Sequence, residues 1–488
     1  MEVKLIVGLE IHVQLATRTK MFCGCRLGYG DPPNSNVCPV CIGMPGVLPV
    51  MNGKAYEYSV RTALALNCQI ARFTKWDRKS YYYPDLPKNY QISQYDLPMS
   101  HDGYMEISLE DGTTKKIRII RAHLEEDAGK NLHEGQGHSQ VDLNRAGTPL
   151  LEIVTEPDMN SPEECRVLAM ELQKLVRFLG VSEADMQKGH MRFEPNINLH
   201  IKDDDGREYK TPICEVKNLN SFRALERSVA YEQWRQLEEW KRDHNFTMEH
   251  RGKQNRGWDD NKEETVFQRE KEEAHDYRYF PEPDLVPVEI GDAQLNRIKA
   301  EMPELPQAIK QRFVQEYKLD AYDAGVLTND RATAEYFDKA VKSGGPAQRV
   351  ANLVTQYGLK TANERGCTLN EIGVTAEQTA KLAGLLEEGT VNASAAAKIF
   401  AKMMTDDREP TVVAQENNLI QQSDAGALEG LVAEVIAANP KAVTDFTSGG
   451  KKSGKARGFL LGKVMQKSKG QANPKIVGEL LDEKLYQS

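Results

Sequence analysis

From residue 3 to residue 15 the chain alternates almost without a break. Val3, Leu5, Val7, Leu9, Ile11, Val13 and Leu15 are apolar, and Lys4, Ile6, Gly8, Glu10, His12 and Gln14 stand between them. Successive side chains on a strand point to opposite faces, so this pattern predicts a long strand with one wholly apolar face. Such a face has to be covered, which commits the N-terminal region to a sheet packed against other elements. The opposite face places Glu10 and His12 side by side, an arrangement that a strand facing only water does not need and a ligand-bearing strand does.

Two further runs carry the same kind of chemistry. Arg121 to Lys130 reads RAHLEEDAGK, so a short β-type run, Lys116 to Ile120, delivers His123 and the carboxylates Glu125, Glu126 and Asp127 at its end. Like charges this close raise one another's pKa unless a cation sits among them. In Thr148-Pro-Leu-Leu-Glu-Ile-Val-Thr, Glu152 stands alone in an apolar strand, and a lone buried Glu needs a cation or a strong donor. Together these residues can line one site with Glu10 and His12, of a kind that suits Mg²⁺ bound with a phosphate. The alternative for the triplet is a solvated acidic loop.

At 488 residues the chain is expected to divide into two or three domains. Its hydrophobic share of 40% and charged share of 28% are those of a soluble globular protein. There is no run of about 18 apolar residues and no signal peptide, so a cytoplasmic protein without a membrane segment is expected. A net charge of -9 argues against a general nucleic-acid coat but leaves room for a local basic patch. Four of the eight cysteines form two close pairs, Cys23 with Cys25 and Cys38 with Cys41. In a cytosolic chain that spacing reads as a structural tetrahedral Zn²⁺ site stapling a Gly/Pro-rich loop, against incidental buried or redox-active thiols.

Strand-like runs at 3 to 15, 104 to 109, 116 to 124, 148 to 155 and 194 to 201, with helices between them, predict an α+β domain over residues 1–290. One helix opens at Ser161-Pro-Glu-Glu, an N-cap with a capping-box Glu, and ends near Gly180; a second starts near Ser221 and runs through Trp240. Pro281 to Pro287 is a proline-punctuated boundary. Beyond it the pattern is helical, at 376 to 388, 393 to 405, 426 to 438 and 456 to 469, with a break at Asp406 to Pro410 that separates 291–408 from 409–488. Segment 451 to 469 holds Lys451, Lys452, Lys455, Arg457, Lys463, Lys467 and Lys469 and no acid: a phosphate-backbone contact or a solvated face. Gly449 to Ala456 imitates a phosphate-binding loop, but Ala456 replaces the hydroxyl residue that would hold Mg²⁺.

Tyr81 to Tyr90, with Tyr82 and Lys88, concentrates aromatics and prolines that can grip a base or ribose or simply stiffen a loop. Asp276 to Pro283 supplies Arg278, a candidate for phosphate neutralisation or an ordinary surface Arg. Cys214 to Phe222 sets Glu215 and Lys217 two apart, next to Asn218 and Asn220. No Ser-His-Asp or Cys-His nucleophile arrangement and no glycine-rich amidase signature is present, so the chain is not expected to release ammonia from glutamine by itself.

Val7-Gly-Leu-Glu-Ile-His-Val, Pro45-Gly-Val-Leu-Pro, Asp77-Arg-Lys-Ser-Tyr-Tyr-Tyr-Pro-Asp, His123-Leu-Glu-Glu-Asp-Ala-Gly-Lys, Val141-Asp-Leu-Asn-Arg-Ala-Gly-Thr-Pro-Leu-Leu-Glu and Asp276-Tyr-Arg-Tyr-Phe-Pro-Glu-Pro-Asp together closely resemble the B-subunit family of the glutamyl/aspartyl-tRNA amidotransferases. The likeness covers nearly the whole chain, and Gly458 to Asn473 is similar to the YqeY-type tail of that family. The resemblance implies a cradle-shaped domain related to the glutamine synthetase fold with an antiparallel sheet, then an all-α domain and a helical tail. It implies a ligase that uses ATP and Mg²⁺ to phosphorylate the side-chain carboxylate of Glu mischarged on tRNA(Gln), or Asp on tRNA(Asn). Ammonia from an A subunit then displaces phosphate, and a C subunit completes the heterotrimer.

The resemblance further implies Mg²⁺ ligands at His12, Glu126 and Glu152, with Glu10, His123 and Glu125 in a second metal site or on the ammonia path. It implies contacts to substrate or ATP from Tyr82, Lys88, Arg192, Lys217, Asn218 and Arg278, and a tRNA contact from Lys455, Arg457, Lys463 and Lys467. Where the family commonly has Gly-Ser-x-Arg-Cys-Asp, this chain has Gly189-His-Met-Arg-Phe-Glu194. The four-cysteine cluster occurs in only part of the family, so zinc rests on this chain's own spacing. Competing readings are a non-catalytic zinc-ribbon RNA-binding protein and a metal-dependent hydrolase acting without tRNA.

Overall fold

The computed structural model describes residues 1–132, 137–270, 274–421, 425–447, 451–468 and 472–486. They form two compact units, Met1–Leu305 and Pro306–Ser488.

The first unit is organised by one ten-stranded sheet. Its strands are β1 (Glu2–Gln14), β2 (Gln69–Ile70), β3 (Ser100–Ser108), β4 (Thr114–Glu126), β5 (Pro149–Thr155), β6 (Met191–Lys202), β7 (Glu208–Lys210), β8 (Cys214–Lys217), β9 (Gln254–Asp259) and β10 (Glu264–Glu270). They lie in the order β10, β9, β8, β6, β1, β5, β4, β3, β2, with β7 added to β6. The alternating N-terminal run is therefore a central strand, between β5 and β6. The pairs are antiparallel except β8 with β9, which run parallel across the helix α3 (Phe222–Arg242). Parallel neighbours need such a crossover, and this is the one departure from the expected antiparallel sheet.

One face of the sheet is the core. Leu5, Val7, Leu9, Ile11 and Val13 are buried there with residues of α1 (Gly53–Ala65), α2 (Pro162–Phe178) and α3. Both expected helix starts are capped: Ser161 Oγ accepts from Glu164 N at 3.1 Å, Glu164 Oε2 accepts from Asn160 N at 2.7 Å, and Ser221 Oγ accepts from Ala224 N at 3.0 Å. The first unit continues past residue 290. A further helix, α4 (Asp292–Ala300), is tied to α1 by Arg297 to Glu57 at 3.5 Å, and Glu301 just beyond it pairs with Arg61 at 3.7 Å.

Strand β4 is longer than the sequence pattern suggested. It runs through the acidic residues to Glu126, because β5 pairs with it as far as Pro149 opposite Glu126. The carboxylates therefore alternate between faces instead of sharing a loop.

The second unit is helical over its described residues. Ala376–Glu387, Ala393–Met403 and Ala425–Ala438 lie close to the expected positions, and Ala347–Leu353 passes through one π turn, Val354–Gly358. The last helices, Ala425–Ala438, Pro440–Thr447, Lys451–Lys467 and Pro474–Tyr486, share a core of their own that includes Leu428, Val432, Leu460, Val464, Val477 and Leu481. Lys451–Lys467 begins five residues before the expected 456. Among the described residues no helix is long and apolar enough to cross a membrane.

Candidate metal and nucleotide centre

The core claims the odd-numbered side chains of β1, so the even-numbered ones fall on the open face. Register then decides what meets what. His12 lies opposite Glu152 on β5 and Arg192 on β6, and Glu152 lies opposite His123 on β4. One step along, Glu10 pairs with Glu194, and farther on Asn196 pairs with Glu215.

Two clusters result. His12, Glu125 and Glu152 offer ligand atoms all within 4.8 Å of one another, and so do Glu10, Glu194 and Glu215. His12 Nε2 is 3.6 Å from both Glu125 Oε1 and Glu152 Oε2, and His123 Nε2 is 3.3 Å from Glu152 Oε2. In the second cluster Lys217 Nζ lies 2.6 Å from Glu194 Oε2 and 3.2 Å from Glu215 Oε1, and Asn196 donates to Glu10 at 2.9 Å. Both clusters line one cavity of about 440 Å³, with Lys79, Tyr81, Tyr95, Arg121, Arg192, Asn255, Tyr277 and Tyr279.

The electrostatics are those of a crowded, largely buried cluster of charges. Burial disfavours the His12 imidazolium, but the hydrogen bond and charge of Glu152, with Glu125 and Glu194, push it up to about 9. Glu152 is buried yet held well below the usual carboxylate range by His123 and His12. Glu125 goes the other way, raised first by burial and then by the charge of Glu152. Glu194 is buried and nevertheless falls to about 2 beside Lys217 and His12. Asp127 is held low by Arg192, which binds it through two contacts at 3.1 Å, and by Arg145. Lys79 is kept strongly cationic, its burial outweighed by Tyr279, Glu125 and Glu152. The Nδ1 atoms of His12 and His123 are buried without a hydrogen-bond partner. Close carboxylates, an imidazole and orphaned ring nitrogens are a donor set that a hard divalent cation would satisfy.

Glu126 is not brought to this group. Because β4 continues through it, its side chain points to the opposite face from Glu125. There it pairs with Lys88 Nζ and accepts from Ile92 N at 3.0 Å. Glu125 occupies the place expected for Glu126. Tyr82 and Arg278 stack on each other, the guanidinium 5.9 Å from the ring, and neither lines the cavity; Tyr81, Tyr277 and Tyr279 do. Asn218 is exposed at the end of β8 with φ 66° and also stays outside the lining.

The departure at 189–194 falls where it does least to the site. Phe193 is buried on the core face against Phe222, with rings 5.9 Å apart, while Arg192 and Glu194 stay on the open face. Sequence reasoning gave no role to Lys79, Asn255, Tyr95 or Tyr279. The Tyr95 and Tyr279 rings stack at 4.1 Å. Lys79 sits in the short strand Asp77–Ser80, whose four residues show no apolar alternation to betray which side chain turns inward.

The four thiols of Cys23, Cys25, Cys38 and Cys41 also lie within 4.8 Å of one another, a set that can hold a metal such as zinc. In the tail, Arg457 pairs with Asp482 through two 2.6 Å contacts, and Lys467 pairs with Glu434. Lys455 and Lys463 are exposed on either side of the exposed Phe459. Lys469 and the side chains of Lys451 and Lys452 lie outside the described residues.

Residues 5–296 match the family described as the GatB/GatE catalytic domain, and residues 335–485 match the GatB domain family. The chain is 46% identical over 491 residues to the B subunit of the aspartyl/glutamyl-tRNA(Asn/Gln) amidotransferase of Carboxydothermus hydrogenoformans, covering 99% of both chains. The proteins of the same name from Thermodesulfovibrio yellowstonii and Rhodopirellula baltica are each 45% identical, over 99% and 98% of this chain and 99% and 95% of theirs. The chain belongs to the B-subunit family of the tRNA-dependent aspartyl/glutamyl amidotransferases.

Proposed function

We propose that this chain performs the ATP-dependent half of amidation on mischarged Glu-tRNA(Gln), Asp-tRNA(Asn) or both, in a heterotrimer with an A subunit that supplies ammonia and a C subunit. A carboxylate resists attack because oxide would have to leave. In this reading its oxygen attacks the γ-phosphorus of ATP and ADP departs. Ammonia then attacks the acyl carbon, the bond to phosphate breaks, and one ammonia proton leaves with the phosphate.

The observation that carries the reading is the shared cavity on the open face, where two carboxylate clusters meet Lys79, Lys217 and Arg192. We assign His12, Glu125 and Glu152 to hold Mg²⁺, with Glu10, Glu194 and Glu215 able to hold a second ion; when bound these supply charge that offsets repulsion between triphosphate and carboxylate. Lys79 and Lys217 present fixed positive charge to the transferring phosphoryl group, and burial strengthens it. The stacked Tyr95 and Tyr279 offer a platform for a terminal base and help to exclude water. An adjoining cavity of about 440 Å³ shares Glu10, Val154 and Lys253 with the first. Its lining of Ile6, Leu9, Ile213 and Met248 with the amide of Asn198 suits a nucleoside. We assign Lys455 and Lys463 to tRNA phosphates.

The test is ADP formation by the chain assembled with its A and C partners, given Glu-tRNA(Gln) or Asp-tRNA(Asn), with Glu152→Ala as the comparison. ADP and amidated tRNA that appear only with mischarged tRNA and vanish in the variant support the reading. Tight tRNA binding without ADP, or ADP formation independent of tRNA, would overturn it.

A further inference from the structure

The four-thiol cluster has a neighbour whose chemistry no structural requirement of the loop explains. Lys20 is 1% exposed, among the most completely buried large side chains of the molecule. Its Nζ donates to Cys41 Sγ at 3.5 Å and to the Leu143 carbonyl at 3.2 Å. Among the described residues no carboxylate lies within salt-bridge reach of it. Glu126, which lines the same small cavity, gives its Oε1 to Lys88 and the Ile92 N–H, while its Oε2 lies 3.8 Å from where a Gly147 Cβ would sit. A buried ammonium is costly unless an anion faces it, and the group that faces this one is a cysteine sulfur.

The site is built around that contact. Gly147 lies over the lysine with φ 85°, and a Cβ there would come within 3.4 Å of Lys20 Cδ and 3.6 Å of Cys41 Cβ. The Lys20 backbone is held in turn, since its N–H donates to the Cys25 carbonyl at 2.9 Å. Cys41 Sγ also receives the Cys38 N–H at 3.2 Å. One sulfur of the cluster thus accepts both a peptide N–H and a full positive charge.

Four thiolates around Zn²⁺ carry a net charge of two negatives, which a buried pocket tolerates poorly without compensation. We propose that Lys20 is the resident counter-charge of the cysteine cluster: its buried ammonium, set against Cys41 Sγ, offsets the negative charge of the metal-loaded site and lowers the reactivity of that sulfur. Lys20 does not itself ligate the metal; it acts through its contact with Cys41 Sγ and is a positioning residue, in the way outer-shell donors tune other metal sites. The inference rests on the cluster holding a metal and is independent of the amidation reading.

The test uses the full chain and Lys20→Met, which keeps the stem and removes the charge. Zn²⁺ is withdrawn with a chromophoric chelator, Co²⁺ replaces it for spectroscopy, and melting is followed with and without metal. Lys20→Met is expected to lose metal affinity by about tenfold or more. Its Co²⁺ thiolate charge-transfer band is expected to move to longer wavelength, and the metal-loaded thiols to react faster with an alkylating agent. Metal-free Lys20→Met melts no lower than the metal-free parent, because a buried charge has been removed. Lys20→Arg, which keeps the charge, retains metal better than Lys20→Met. Unchanged affinity and an unmoved band in Lys20→Met would overturn the proposal. So would equal destabilisation with and without metal, the mark of a purely structural lysine. Failure of the parent chain to take up Zn²⁺ or Co²⁺ would overturn it too, together with the zinc assignment but leaving the amidation reading in place.

Discussion

Glu125 and Glu126 are neighbours on one strand, both almost fully buried, yet they live under opposite rules. Glu126 faces a cation supplied by the protein, Lys88, and the peptide N–H of Ile92. Glu125 faces another carboxylate, Glu152, and the His12 imidazole, while His123 meets Glu152; both rings bury an Nδ1 without a partner. On the first face one lysine closes one carboxylate, whereas on the second several carboxylates converge on a cavity and share Lys79, Lys217 and the raised His12. Burial of a carboxylate is therefore no guide to its duty; what distinguishes the two is whether it is a lone acid matched by one lysine or one of several acids crowded around a cavity.

The comparison is broken most sharply by removing acids from the open face. Glu152→Ala and Glu125→Gln are expected to lower tRNA-dependent ADP formation by about a thousandfold or more. Metal-free Glu125→Gln melts at or above the parent temperature, because burial and Glu152 disfavour the Glu125 charge, whereas metal-free Glu152→Ala melts lower, because His12 and His123 lose their partner. A large fall in melting temperature with activity retained would reverse the assignment.

On the closed face the effect should be on stability. Lys88→Met leaves Glu126 buried and unpaired, and a loss of about 3 kcal/mol in denaturant unfolding is expected. Divalent-cation affinity at the open face should change by no more than a few-fold, which titration calorimetry would reveal.

Next in size is a pH effect specific to the open face. His12 is raised from 6.5 to about 9 by Glu152 and Glu125 acting against its burial. A group raised on folding stabilises fully below its unfolded value and loses that contribution as pH climbs through the folded value. In metal-free protein the stability advantage over His12→Gln should accordingly be greatest below pH 6.5 and shrink towards pH 9. Divalent-cation affinity should rise over the same interval, since the ion competes with the proton for the ring. A gap that stays constant with pH would remove His12 from the coupled set.

The smallest effects belong to the tail. Lys455→Ala with Lys463→Ala should leave stability within about 0.5 kcal/mol and reduce the slope of tRNA affinity against salt by about 1 for each phosphate interaction removed. Arg457→Ala should cost a little more, up to about 1 kcal/mol, because the half-exposed Arg457 pairs with Asp482 between two helices of the tail.

Much of this was legible in the chain. The strand 3–15 announced its two faces, Glu152 stood out in an apolar run, and Ser161 and Ser221 marked helix starts through capping that the structure realises. The parity of Glu125 and Glu126 was hidden, because a run of charges reads as the end of a strand. Only the ladder to β5 shows that the backbone continues in pleated form through Glu126. Lys79 and the tyrosine pair were hidden for a different reason: they are brought to the cavity from short strands and loops, where no periodicity links a residue to a face. The tail's charge stripe was visible, but its ion pairs depend on which helices pack together, and composition cannot show that.

The most direct measurement is Mn²⁺ binding, followed by its paramagnetic resonance, to the intact chain and to Glu125→Gln and Glu126→Gln side by side. With Glu125 on the open face and Glu126 closed by Lys88, the first variant should lose a high-affinity ion and the second should keep it. Retention in Glu125→Gln with loss in Glu126→Gln would contradict the division of the two faces.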